Sequence, residues 1–591
     1  MSDQKNLILA VVLSVVILMM WDFMYRRPPV DDLVPPPQAA TDQAVQDSQS
    51  TAPQAPTGSV IGTAPTTPGQ NATAPITPEA ALAQDDSPRL RIEAERIHGS
   101  LRLRGARFDD LILDDYRSSL EEGSENIVLL SAAGSPFSYY AEFGWAVGAG
   151  TSMPVPDSAT LWQANGDVLV PGAPITLEWD NGQGLLFQRT ISVDENYLLS
   201  VTQRVSNTST SPVTLHPYGL ISRSNPPDTL GFFILHEGPI GVLNDELKEI
   251  DYDDLQDDGR QTIQSTGGWL GVTDKYWLTA MIPDQSEAIE TSFNHIAVDE
   301  GDRYQVDFLG GARVIPAGGV VAITNQMFAG AKEVHLLDRY TESHNIPRFD
   351  LAVDFGWFYF LTKPIFFIID YLNRGLENFG LAILVFTVLI RILFYPLASK
   401  SFRAMHAMRR LQPEMTKMRE QFADDRQKLH QSMMELYKRE KVNPLAGCLP
   451  IALQIPVFFA LYKVLFVTIE MRHAPFYGWI QDLSAADPTT IFNLFGLIPW
   501  DPPLFLQIGI WPLLMGISMF MQQKINPQPV DPMQAKIFLA LPIVFTFVLA
   551  QFPAGLVIYW TWNNVLSMAQ QWMIYKRAGI TKQSIQPAKP T

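Results

Sequence analysis

The chain has 591 residues, 47% of them apolar, one cysteine (Cys448) and a formal net charge of −18. A single thiol excludes intrachain disulfides and multi-cysteine metal sites. The acidic balance excludes a general nucleic-acid binder, which needs clustered Lys and Arg against the phosphates.

Residues 1–27 contain the apolar run NLILAVVLSVVILMM, close to bilayer length. Trp21, Asp22, Phe23 and Met24 follow it where a cleavage site would need small residues. This segment is expected to be an uncleaved transmembrane anchor. Residues 28–88, rich in Pro, Ala and Thr and poor in aromatics, bury too little apolar surface to offset their ordering entropy and read as a flexible linker. From 89 to 340 short alternating runs are broken by turn signals: Asn181-Gly182 separates two strand-like runs, and YLLSVTQRV alternates with period two. An all-β sandwich is expected there. Its acidic run 244–258 reads as a solvated loop, because it lacks the internal turn glycine of a calcium loop.

The remainder reads as helical and membranous. Residues 355–372, interrupted by Lys363-Pro364, are expected to lie in the membrane interface. Transmembrane helices are expected at 379–397, 447–467, 504–521, 537–551 and 554–573, which with the anchor makes six. The loop 400–441 carries eleven Lys and Arg against fewer acids and is therefore cytoplasmic. Its apolar residues recur at three and four, with Asp424-Asp425 at a break, so two antiparallel amphipathic helices are expected. Alternation then puts the β domain and the 468–503 loop outside and the basic tail 574–591 inside. Arg26 and Arg27, on the outer side of the anchor, run against this orientation, but the cytoplasmic charges outnumber them.

Arg391 stands inside an apolar span, where an arginine costs roughly 2.5–3.5 kcal/mol on the most forgiving scale. The five C-terminal spans hold no Asp or Glu to pair with it. They hold uncharged polarity instead: Thr387, Gln454, Gln507, Tyr559, Asn563, Asn564, Ser567, Gln570 and Gln571, of which Tyr559, Asn563 and Ser567 share one helix face by their spacing of four. Two readings stay open on spacing alone. The arginine either snorkels to the cytoplasmic interface or faces a water-filled groove. No Walker loop, HExxH, GxSxG or Cys-His pair is present, so no catalytic or metal site is expected.

The ordered series FTVLIRILFYPL, MRRLQPEMTKMRE, YKREKVNPLAGCLPIALQIPVFFALYKVL, HAPFYGWIQDLSAADP, DPMQAKIFLALPIVFTF and FPAGLVIYWTWNNVLSMAQQWMIY resembles the YidC/Oxa/Alb insertase family over roughly residues 355–577. The anchor and large β domain resemble its Gram-negative form, with a periplasmic β-supersandwich shaped like sugar mutarotases. That resemblance implies a polytopic inner-membrane protein with both termini cytoplasmic, acting as insertase and chaperone, alone or beside the Sec translocon. It implies a hydrophilic groove within five spans, faced by Arg391, Thr387, Gln454, Gln507, Tyr559, Trp560, Asn563 and Ser567. There Arg391 would attract acidic residues of an incoming tail. The substrate would then leave along an apolar exit formed by 447–467 and 537–551. The hairpin residues Arg409, Arg410, Lys417 and Arg419, with the tail, would meet the ribosome, the targeting receptor, anionic lipids or nascent membrane proteins. No cofactor and no specific nucleic acid is implied. Two rivals stand beside the insertase reading: a secondary transporter using Arg391 as an anion site, which would show inverted internal repeats and broken helices in matching positions, and a periplasmic carbohydrate-active or carbohydrate-binding domain on a membrane anchor.

Overall fold

The structure, a computed structural model, describes residues 78–577 apart from 133–134, 136, 148–152, 228, 230–234, 299–300, 423–424, 441, 443–448, 495–497, 499, 501, 504–505 and 527–531. The expected anchor, most of the linker, Cys448 and the tail beyond 577 lie outside the described residues. The end of the expected linker forms a short helix, α1 (Pro78–Gln84), seated through the buried Ala81.

Period-two alternation builds the β domain. In the strand Leu198–Asn207, residues 199, 201, 203 and 205 are buried and those between them reach solvent. It pairs antiparallel with Leu185–Val193 on one side and Val320–Ala331 on the other. The Asn-Gly turn works as expected: Gly182 takes φ 69°, and Asn181 Oδ1 accepts from the backbone N–H groups of Gln183 (2.8 Å) and Leu185 (2.9 Å). Among the described residues the strands form two sheets, of eleven and nine strands. The sheets stack on a shared apolar core that includes Phe108, Phe187, Trp269, Phe308 and Phe328. Arg189 crosses between them, donating to the carbonyl of Ala106 at 2.9 Å and lying 4.9 Å from the Trp162 ring.

The acidic run is not a loop. It forms the strand Glu246–Glu249 and the helix α2 (Tyr252–Asp258), because Ile250, Tyr252 and Leu255 supply a buried stripe. Asp253 and Asp254 fall in the first turn of α2, where the helix dipole favours them. After the last strand comes α3 (Val334–Ser343).

The C-terminal region is helical: α4 (Tyr359–Leu376), α5 (Phe379–Leu393), α6 (Tyr395–Gln421), α7 (Arg426–Arg439), α8 (Leu449–Val467), α9 (Ile510–Ile525), α10 (Pro532–Leu549) and α11 (Ala554–Arg577). Lys363 and Pro364 do not interrupt α4, since Lys363 turns off the helix to Asp338 and Asp350, at 2.7 Å each. The helix expected over 379–397 ends at Leu393. The chain bends 68° there and continues as α6, so the helix of the hairpin begins at 395 rather than 400. Pro396 gives the reason: it has no N–H for the carbonyl of 392, and its ring crowds that carbonyl. The helix expected over 504–521 is shifted to 510–525. Among the described residues no single helix is both long and apolar enough to cross a membrane. The bent pair α5 and α6 meets that test together, and the apolar stretches Gln454–Val467 and Ala535–Leu549 are shorter. The six spans expected from the sequence are therefore not read from helix length.

The β domain is tied to these helices by specific contacts. Lys463 of α8 pairs with Asp354 at 2.8 Å, and Tyr276 donates to Ser484 at 3.3 Å. Glu470, buried just after α8, accepts from the N–H of Val334 at the start of α3 at 3.0 Å. Burial pushes its carboxyl up to about 8.

Candidate functional site

α5 carries Thr387 and Arg391 one turn apart, and α11 presents Tyr559, Asn563 and Ser567 on the facing stripe. The Arg391 side chain crosses to α11. Its Nε donates to Asn563 Oδ1 at 3.0 Å, and its Nη2 to the Asn563 carbonyl at 3.2 Å and to Ser567 Oγ at 2.5 Å. Ser567 in turn donates to the Asn563 carbonyl at 2.8 Å, which closes the cluster. Trp562 donates to the Leu384 carbonyl at 3.2 Å and pins the two helices together one turn before Thr387.

A cavity of about 520 Å³, counting its open mouth, lies beside this cluster. Its polar lining is Thr387, Arg391, Gln454, Tyr559, Asn563 and Gln570, with Phe386, Ile390, Phe394, Leu397, Ala398 and Val457 as the apolar wall. Gln454 of α8 hydrogen-bonds Tyr559. Thr387 is buried and returns its hydroxyl to the Ile383 carbonyl at 2.6 Å. No carboxylate lines the cavity. The guanidinium is thus held by neutral dipoles, and hydrogen bonds from a charged donor are worth about 1.5–3 kcal/mol each. That offsets the burial of the cation without cancelling its field.

The structure gathers Arg391, Thr387, Gln454, Tyr559, Asn563 and Ser567, and adds Gln570, whose Oε1 is buried with no hydrogen-bond donor among the described residues. Gln570 is seven residues beyond Asn563, so the same helical spacing could have placed it on this face. Two expected groove residues stand elsewhere. Gln507 precedes α9 in non-helical chain and donates to the Pro502 carbonyl at 3.2 Å, because the helix starts at 510. Trp560, one residue and hence about 100° round α11 from Tyr559, packs against Phe458 (4.8 Å) and Phe545 (5.6 Å), joining α8 to α10. Asn564 also leaves the cavity and donates to Ser518 of α9 at 3.0 Å, an interhelical tie.

Residues 89–368 match the family model described as the YidC periplasmic domain, and residues 371–582 the one described as 60Kd inner membrane protein. Proteins named membrane protein insertase YidC from Beijerinckia indica and Methylobacterium nodulans are 48% and 49% identical to this chain, over 98% of its length and 97% and 96% of theirs. The chain belongs to the YidC family. The relative from Bradyrhizobium diazoefficiens, of the same name, is 47% identical over 100% of this chain and 99% of its own. A solved structure titled as an active YidC insertase with its first transmembrane domain resolved gives a TM-score of 0.35 at 15% identity, over 82% of this chain and 92% of that one, a likeness too low to add to the assignment.

In this YidC-family chain the outer faces of α8 and α10 are apolar and exposed: Ile455 and Phe459 on one, Leu539, Ile543 and Phe547 on the other. The hairpin closes on Leu411, Met415 and Leu436, and Asp425 caps α7 by accepting from the Lys428 N–H at 3.0 Å. Arg410 and Lys417 are exposed and Arg419 is half-buried. Arg409 is half-buried too, and it donates to the Ile525 carbonyl at the end of α9 at 3.3 Å, so it ties the hairpin to the helices.

Proposed function

We propose that the chain is a bacterial inner-membrane insertase and chaperone, not an enzyme, which moves transmembrane segments of newly made proteins from the cytoplasm into the bilayer, alone or with the Sec translocon. The observation that carries this reading is an arginine held only by neutral acceptors beside an open, carboxylate-free cavity between helices. An acidic residue in the outward tail of a client meets Arg391 there. Two unit charges 4 Å apart attract by about 4 kcal/mol at the effective dielectric of a protein surface. The client's apolar segment passes the exposed faces of α8 and α10 and enters lipid, driven by burial of apolar surface at about 25 cal/mol per Å².

In this reading the protein crosses the membrane six times with both termini cytoplasmic and the β domain periplasmic. The amphipathic α4 lies in the interface. The exposed Arg410 and Lys417, with Arg419, serve the ribosome, the targeting receptor or anionic lipid. The transporter alternative has no inverted repeat in the sequence to support it.

The test is protease-protected insertion, in liposomes, of a single-span protein with an acidic N-terminal tail. Wild type is expected to insert it well above empty vesicles and Arg391→Ala less well. Insertion no better than in empty vesicles would refute autonomous insertase activity.

A further inference from the structure

We infer that Asn563 is a positioning residue that sets the charge selectivity of the groove, holding Arg391 in place while leaving its charge uncompensated. This deepens the function proposed above and rests on it. Arg391 spends Nε and Nη2 on Asn563 and Ser567. Nη1 has no partner among the described residues, so that edge of the guanidinium is left for an incoming group.

Asn563 Oδ1 accepts from both Nε and Nη2 of Arg391; aspartate has nearly the shape of asparagine, and a carboxylate there would receive the same two N–H groups with full charge. Packing therefore tolerates either residue, and only the amide leaves a net positive charge beside the cavity. An internal carboxylate would occupy the cation permanently, because a tethered partner outcompetes one that must diffuse in. The ligand chemistry that follows is a polypeptide segment bearing a carboxylate, drawn to a cation that the protein declines to neutralise itself.

The full-length protein in liposomes is given two clients with the same span. One has Asp or Glu in its outward tail, and the other has Asn or Gln at those positions. The quantity read is the ratio of acidic-tail to neutral-tail insertion, which divides out any general loss of activity. Wild type is expected to favour the acidic tail, and Asn563→Asp to lower the ratio by about tenfold, to the level of Arg391→Ala; this lies within the attraction available to two unit charges at that range. Asn563→Gln, which keeps a neutral amide, is expected to stay nearer wild type.

If Asn563→Asp does not fold, Ser567→Asp places a carboxylate at the other acceptor and is expected to give the same fall. A wild-type ratio in Asn563→Asp, with the ratio lost in Arg391→Ala, would overturn the role of Asn563 alone. A ratio unchanged in Arg391→Ala would overturn the electrostatic reading itself.

Discussion

Replacing Lys463 with Met tests how firmly the β domain is fastened to the helices. Lys463 Nζ lies 2.8 Å from Asp354 Oδ2 and donates to the Asp354 carbonyl at 3.1 Å, with side chains only 13% and 17% exposed. Methionine keeps most of the stem packing, so the change isolates the charge. Removing one partner of a buried pair costs about 3–5 kcal/mol, mostly through the charge left behind. Asp354 keeps one donor, the N–H of His236 at 3.2 Å, so the expected loss is at the low end, about 3 kcal/mol. The double variant Lys463→Met with Asp354→Asn removes the charge left on Asp354 and is expected to recover at least half. Denaturant unfolding of the detergent-solubilised chain gives both values, and limited proteolysis around 353–358 reports whether the connection opens. A loss within about 0.5 kcal/mol of zero, or a double variant no better than the single, would refute the reasoning.

Glu470 keeps its proton up to about pH 8 when folded, whereas the unfolded carboxyl releases it near 4.5, with Glu333 and Asp370 adding to the burial that raises it. The folded state binds more protons in that window, so this stabilisation is complete below pH 4.5 and lost as pH rises to 8. Thermal unfolding across that range is expected to show a steeper decline for wild type than for Glu470→Gln. A Cβ on Gly516 would fall 2.1 Å from Thr546 Oγ1, so Gly516→Ala is expected to force α9 from α10 at about 1–3 kcal/mol, largely recovered by adding Thr546→Ala, as read by unfolding in detergent. Arg409→Ala, which removes a bond to the end of α9, is expected to cost under about 1 kcal/mol and to speed amide exchange in the last turn of that helix.

Local rules read a large part of this molecule. Strand alternation, the Asn-Gly turn and the face made by Tyr559, Asn563 and Ser567 depend on periods of 2 and 3.6, which a sequence displays directly. Arg391 was conspicuous because its charge conflicts with its neighbours. What it bonds was not legible, since Arg391 and Asn563 are 172 residues apart in the chain. Trp560 and Gln507 escaped for different reasons. Trp560 is adjacent in sequence to a cavity residue but turned away from it, while Gln507 precedes a helix start that nothing in its apolar surroundings marks. The acidic run was misread because its charge count hid three well-spaced apolar residues.

The 68° bend after Leu393 has a mechanical consequence. α6 runs unbroken for 27 residues from that corner, about 40 Å at the rise of an α-helix. Its first half is not free to swing, since Ala398 and Phe402 pack on Ile574 of α11 and Arg409 is bonded to the Ile525 carbonyl at the end of α9. The arm that can tilt is the stretch beyond Arg409, about 18 Å at the same rise, so a tilt of about ten degrees carries its far end through roughly 3 Å. A load on the hairpin's tip is therefore met first at the end of α9 and on α11, the helix that also carries the acceptors of Arg391.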